Sequence, residues 1–212
     1  MPTPKELYNQ KNGEALVKNL QKRHFEAYYC ANREDALAKA LSLIPEGSSV
    51  GWGGAASAAE IGLLDAVRTG PYKALDRDTA PDAASRNAIM EQCRSADVFL
   101  TGANALSMDG QMVNIDGMGN RISSIIYGPK AVIVIAGINK LCPNLDSAMV
   151  RARTVAAPTN QQRFQGHTPC TATGACADCT SEDCICNQIL VTRHCRPAGR
   201  IKFIIVGESL GF

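Results

Sequence analysis

The sequence predicts an α/β protein in which a largely parallel sheet is covered by helices on both faces. Three observations carry this. Residues 98–101 and 130–136 are continuous apolar runs rich in β-branched side chains, as strands buried on both faces are. Stretches with helical apolar spacing alternate with short strand-like runs, the order that builds parallel sheets. The 212 residues, 45% hydrophobic and 20% charged, suffice for one sizeable core and exclude a disordered tail or linker.

At the start of the chain, Thr3-Pro4-Lys5-Glu6 supplies an N-cap, a proline at the first helical position and a capping-box glutamate. Leu7, Leu16, Val17 and Leu20 follow at helical spacing, so a helix interrupted near Gly13 is expected. Residues 25–30 read as a short strand. Asn32 then caps a helix whose Ala36, Leu37, Ala40, Leu41 and Ile44 make one stripe, stopped by Pro45-Glu46-Gly47. Residues 48–52 form a strand running into Gly53-Gly54 and a helical stretch with Ile61, Leu64 and Val67 on one face, closed by Gly70-Pro71.

Beyond the central run 98–101, Met108-Asp109-Gly110 and Asp116-Gly117 bracket residues 111–115 as a strand in a hairpin-like excursion. Residues 146–157 read as a helix capped by Asp146 and ended before Pro158. Residues 188–192 and 201–206 flank the turn-rich Arg196-Pro197-Ala198-Gly199 and are expected to close the fold as a hairpin. The chain divides into an N-terminal helical region, 1–44, packed on the core, and an α/β domain, 45–212, that includes a cysteine-rich segment at 167–195.

Charge narrows the partner. A net charge of +2 with no long basic run leaves no electrostatic footprint for nucleic acid, so a small molecule is the expected partner. Lys5, Glu6, Lys11, Glu14, Lys18, Lys22 and Arg23 leave no apolar core for a signal peptide. The longest apolar run, 131–136, is far short of the roughly 20 residues that span a bilayer. A cytoplasmic protein without a membrane partner is expected. Six of the nine cysteines fall between Cys170 and Cys195, and thiols in a reducing compartment cluster for metal binding or catalysis.

Ligands of open α/β sheets sit beyond the carboxyl ends of the strands, which directs attention to loops 51–57, 102–110, 116–121 and 137–144. Gly53 and Gly54 lie between a strand and a helix, where backbone N–H groups can meet an anion. Ser57 and Glu60 stand at capping-box spacing, a role compatible with ligand binding. Asn104, Asp109, Asp116, Asn120 and Arg121 crowd small polar groups between apolar segments; the Asp-Gly pairs are either plain turns or part of a site. Asn139 and Lys140 follow the central strand, where Lys140 either holds a phosphate or carboxylate or is simply solvated.

Cys170, Cys176, Cys179 and Cys186 offer four soft ligands at C-x5-C-x2-C-x6-C spacing, enough for a [4Fe–4S] cluster or a closed zinc site. Cys184 and Cys195 are possible substitutes, and His167 a fourth ligand for a Cys3His zinc set; the alternative is a group of reduced thiols. Cys30, Cys93 and Cys142 read as small buried hydrophobes, and His24 and His194 as surface residues.

Taken in order, Gly51-Trp52-Gly53-Gly54, Ser57, Glu60-Ile61-Gly62, Thr101-Gly102-Ala103-Asn104-Ala105, Asp109-Gly110, Asp116-Gly117-Met118-Gly119-Asn120-Arg121, Tyr127-Gly128-Pro129 and Gly137-Ile138-Asn139-Lys140 resemble the LUD-domain family of lactate-utilisation proteins. The resemblance covers roughly residues 45–212. It implies a Rossmann-like three-layer sandwich similar to the ribose-5-phosphate isomerase and CoA-transferase fold. The C-terminal cysteine block resembles that of a LUD subgroup. The family's glycine loop usually carries Ser and Thr where this chain has Ala55 and Ser57, so one hydroxyl is missing.

The resemblance implies an accessory or redox component of organic-acid oxidation, binding a small anionic ligand, carrying an iron–sulfur cluster, and working with an oxidoreductase or iron–sulfur partner subunit. Nothing here resembles a flavin or nicotinamide fingerprint. Two alternatives stand beside it: a stand-alone enzyme acting on a CoA ester or sugar phosphate, with Glu60, Asp109, Asp116 or Glu208 as base or nucleophile, and a metal-stapled interaction module.

Overall fold

A computed structural model describes residues 1–212. Helix α1 (Pro4–Lys22) begins on a reciprocal cap, in which Thr3 Oγ1 accepts from the Glu6 N–H and the Glu6 carboxylate accepts from the Thr3 N–H. Gly13 does not interrupt it; it lets α1 lie against the Tyr29 ring, which any Cβ there would strike. Strand β1 (Glu26–Cys30) precedes α2 (Arg33–Ser42), whose cap Asn32 accepts from the Asp35 N–H at 2.8 Å.

Strand β2 (Ser49–Gly53) leads into α3 (Ala56–Glu60) and α4 (Leu63–Thr69), separated at Gly62, whose φ of 78° a helix cannot carry. Strand β3 (Lys73–Leu75) and helix α5 (Ala83–Cys93) come next, followed by β4 (Val98–Gly102), β5 (Ala105–Ser107) and β6 (Met112–Asp116). Then come α6 (Asn120–Ile126), β7 (Ala131–Gly137), β8 (Leu141–Cys142), α7 (Leu145–Arg151), α8 (Ala157–Gln161), α9 (Pro169–Thr173), β9 (Gln188–Thr192) and β10 (Ile201–Val206).

The main sheet has the order β1-β10-β7-β4-β2-β3, and every neighbouring pair in it is parallel. Alternation along its strands divides the core. Leu100, Ile133, Ile135 and Ile204 pack beneath Ala36 and Ala40 of α2, Ala58 of α3 and Leu63, Leu64 and Val67 of α4. Phe99, Val132, Val134, Phe203 and Ile205 face Leu16 and Leu20 of α1, Cys93 of α5 and Ile125 of α6. A second sheet, β8-β5-β6-β9, places Ala105, Val113 and Ile115 against Ala148 and Ala157 of the α7–α8 arm.

Three further expectations are corrected. The runs 188–192 and 201–206 form no hairpin: β9 pairs antiparallel with β6, whereas β10 inserts between β1 and β7. Asn144, not Asp146, caps α7, accepting from the Ser147 N–H at 2.9 Å. Pro158 does not end the helical arm, because a π-helical turn, Ala152–Ala156, intervenes and leaves the proline in the first turn of α8, where no N–H is needed.

Candidate functional site

Because the strands of the main sheet are parallel, their carboxyl ends open on one side, and a cleft of about 630 Å³ lies there. Gly54 and Ala55 reach it from the end of β2, Ala103 and Asn104 from β4, Lys140 from β7, and Asp116, Asn120 and Arg121 from the β6–α6 turn. Five cations line it, Arg77, Arg86, Arg121, Lys140 and Arg163, against three acids, Glu60, Asp78 and Asp116. The excess is positive, which suits an anion.

Arg121 organises one wall. The residue is 8% exposed, and its Nη2 donates to Asn104 Oδ1 at 3.2 Å and to the Ile115 carbonyl. Asp116 turns its other oxygen inward to accept from the Arg121 and Ile122 N–H groups, so it fixes the start of α6 while standing 3.8 Å from the Arg121 Nε. The guanidinium lies over Gly54, whose φ is 57° and whose Cβ, if present, would sit 2.5 Å from Arg121 Nη1. The glycine pair therefore admits an arginine. Arg77 adds its charge beside Arg121, and burial followed by that repulsion lowers the Arg121 pKa against the pull of Asp116. The Nε groups of both arginines are buried without a hydrogen-bond partner.

Lys140 forms the floor. It ends a 3-10 turn, Ile138–Lys140, directly after β7, is 4% exposed, and its Nζ donates to the Ala103 carbonyl at 2.9 Å. Burial lowers its pKa to about 8, with Arg151 and Arg121 adding to the effect and Glu60 opposing it. Ser57 does not cap a helix. It lies inside α3, 1% exposed, its hydroxyl without a partner, while the N-cap position belongs to Ala55. Glu60 is likewise no capping partner; both its oxygens lie 3.0 Å from the Gly211 N–H. That hydrogen bond holds residues 207–212 across the strand ends, where Asn139 Oδ1 accepts from the Leu210 N–H and Arg151 donates to the Phe212 carbonyl.

Gly54, Glu60, Asn104, Asp116, Asn120, Arg121 and Lys140 thus meet at one cleft. Gly53 lies beneath it in β2, packed on Phe99 and Arg121. Asn139 faces the 207–212 segment, and Asp109 stands elsewhere, paired with Arg23 at 2.7 Å in the β5–β6 turn. Arg77, Arg86, Arg151 and Arg163 escaped the sequence reading because each lies apart from the glycine- and asparagine-rich loops.

A second hollow, about 230 Å³, adjoins the first, and Ile115 and Ile185 line both. Cys170, Cys176, Cys179, Cys184 and Cys186 all face it. The Cys186 thiol is pushed up to about 12 by burial and by the neighbouring Cys184, Cys176 and Cys170. Cys179 is shifted down, chiefly by hydrogen bonds from Ser181 and also from Cys184. The sulfurs share the hollow, yet no three such groups converge as a metal-ion site. Cys195 is buried in the core, its Sγ accepting from the Ile201 N–H, and the His167 N–H is held by Asp183. Neither lines the hollow. Cys30, Cys93 and Cys142 are buried, and the exposed His24 and His194 rings stack on each other at 4.4 Å.

A parallel sheet between two helical layers, with a polar cleft at its carboxyl edge, defines a Rossmann-like three-layer α/β protein. The LUD domain profile matches residues 13–206, and the chain belongs to the LUD domain family, which makes it a lactate-utilisation-type protein. Among solved structures it is similar to a DUF162 family protein from Deinococcus radiodurans, with a TM-score of 0.51 and 13% identity over 97% of this chain and 99% of that one. At that identity the likeness shows the fold alone. The eIF2B beta subunit of Chaetomium thermophilum matches 54% of this chain and 44% of its own, at 20% identity and a TM-score of 0.37. The delta subunit matches 61% and 52%, at 14% identity and 0.36. No curated protein matches the chain. No helix is long and apolar enough to cross a membrane.

Proposed function

We propose that this chain is an accessory or redox component of organic-acid oxidation in the cytoplasm, holding a small carboxylate in the cleft and an iron–sulfur cluster in the adjoining thiol hollow. The observation that carries the reading is the Arg77–Arg121 pair, two neighbouring guanidinium groups whose buried Nε–H groups make no hydrogen bond, Asp78 and Asp116 standing off at 4.0 and 3.8 Å. A carboxylate between them supplies acceptors and offsets the like charge. The cluster rests on the donor set: Cys170, Cys176, Cys179 and Cys186, with Cys184 beside them, are the soft ligands that hold [4Fe–4S], or zinc in a closed site, once segment 174–186 draws them together. A bound [4Fe–4S] cluster supplies one-electron transfer, so an oxidoreductase or iron–sulfur subunit is the partner this role implies.

Anaerobically purified protein is expected to carry iron and sulfide above the level found in a Cys176→Ala/Cys179→Ala variant. Zinc in their place assigns the hollow to a structural site, and no metal above the variant's level ends the cluster reading. In a thermal-shift series, 2-hydroxy acids are expected to stabilise the fold, with affinity lowered about 10- to 100-fold by Arg121→Met. A response only to CoA esters or sugar phosphates would redirect the assignment to a stand-alone enzyme. No response to any of them removes the anion reading.

A further inference from the structure

We propose that Lys140 forms an imine with a 2-oxo acid, its amine joining the keto carbon while Arg121 holds the carboxylate. The inference rests on the anion-binding reading above and adds a substrate class and a covalent step to it. Three geometric facts support it.

First, Lys140 Nζ sits at the floor of the cleft, 4% exposed, with the Ala103 carbonyl at 2.9 Å as its one hydrogen-bond partner. An ammonium has three protons to satisfy, and at this depth two would go unpaired; a neutral amine keeps the Ala103 bond and frees its lone pair. The lowered pKa agrees with this: burial is its main cause, Arg151 of α7 and Arg121 of α6 add to it, and Glu60 of α3 opposes them. A desolvated lysine beside other cations is the form in which an amine attacks a carbonyl.

Second, Ser57 Oγ is buried and unpartnered, and it lies beside Gly211 close to the amine. The position a Cβ of Gly211 would take lies 2.8 Å from Ser57 Oγ and 3.0 Å from Lys140 Nζ. Third, Arg121 shares the cleft, and its Nε–H makes no hydrogen bond, Asp116 standing 3.8 Å away. A carbonyl and a carboxylate on adjacent carbons match an amine and a guanidinium, and a 2-hydroxy acid lacks the carbonyl that the amine requires.

The step balances without an oxidant or reductant. The amine lone pair forms the C–N bond as the carbonyl π pair moves to oxygen. Ser57 relays the ammonium proton to that oxygen, and the carbinolamine then loses this hydroxyl together with the remaining N–H proton as water, the nitrogen lone pair closing the C=N bond of the imine. The sum is amine plus ketone giving imine plus water, reversible by hydrolysis.

The full chain is incubated with pyruvate, the smallest stable 2-oxo acid probe, and sodium cyanoborohydride, then analysed by intact mass and peptide mapping. Binding of pyruvate and of lactate is measured in parallel by calorimetry. The expected result is one reduced adduct on the peptide carrying Lys140, lost in Lys140→Arg while the variant still melts cooperatively. Binding of pyruvate without an adduct, or with the adduct on another lysine, overturns the imine and leaves the anion site standing. Binding of neither acid overturns both. Because the wild-type peptide map locates the adduct directly, the result holds even if the arginine variant fails to fold.

Discussion

Lys140 shows what burying a single cation costs. Its folded pKa, about 8, lies below the ordinary lysine value of 10.5, so the folded state binds this proton less tightly than the unfolded chain does. Below pH 8 both states carry the proton and the full cost is present, on the order of 3 kcal/mol. As pH climbs from 8 towards 10.5 the folded state sheds it first, and stability rises. Lys140→Met is therefore expected to stabilise the protein at pH 7 by about 1–3 kcal/mol, allowing for the lost bond to Ala103, with the gain shrinking to nothing near pH 10.5. Urea denaturation across that range reads the sign directly. At this scale the sequence was only partly legible. Asp109 and Asp116 both precede glycine, yet one pairs with Arg23 in a turn and the other caps α6 beside Arg121. The distinction depends on what the chain brings back from 86 residues away, which no local spacing encodes.

Among the elements, those with strong local signals appeared where expected. The Thr3 and Asn32 caps start α1 and α2, and the apolar runs became β4 and β7 at the centre of the main sheet. Strand β3 and helix α5 were missed because neither carries an apolar face: Cys93 is the one buried residue of α5, and β3 has none. Gly53-Gly54 was legible as a site but not as the arginine seat it is, since Arg121 lies some seventy residues further on. Gly54→Ala is expected to cost about 1–2 kcal/mol, from a side chain forced into the left-handed region. It also pushes the guanidinium out of its seat, so carboxylate affinity should fall while the main-sheet circular dichroism is unchanged. Calorimetric titration of the variant separates that loss from simple destabilisation.

For the molecule as a whole, the path of the last forty residues matters most. Residues 172–178 are exposed, whereas β10 delivers Ile201, Phe203, Ile204, Ile205 and Val206 to the middle of the main sheet, all buried. At about 1.5–3 kcal/mol per fully buried large apolar side chain, those five hold the C-terminal piece by roughly 10 kcal/mol. A glutamate-specific protease that nicks the chain after the exposed Glu182 should thus give two bands on a denaturing gel and one particle by native mass spectrometry. The hairpin reading of β9 and β10 would have placed them side by side; local turn residues did not reveal that two sheets share this stretch. The same stretch carries Ile185, which with Ile115 stands between the thiol hollow and the cleft. Any rearrangement that draws the cysteines inward must move Ile185 and so alter the shape of the neighbouring chamber. Thermodynamic reciprocity then requires that filling one compartment change the affinity of the other by the same factor in both directions.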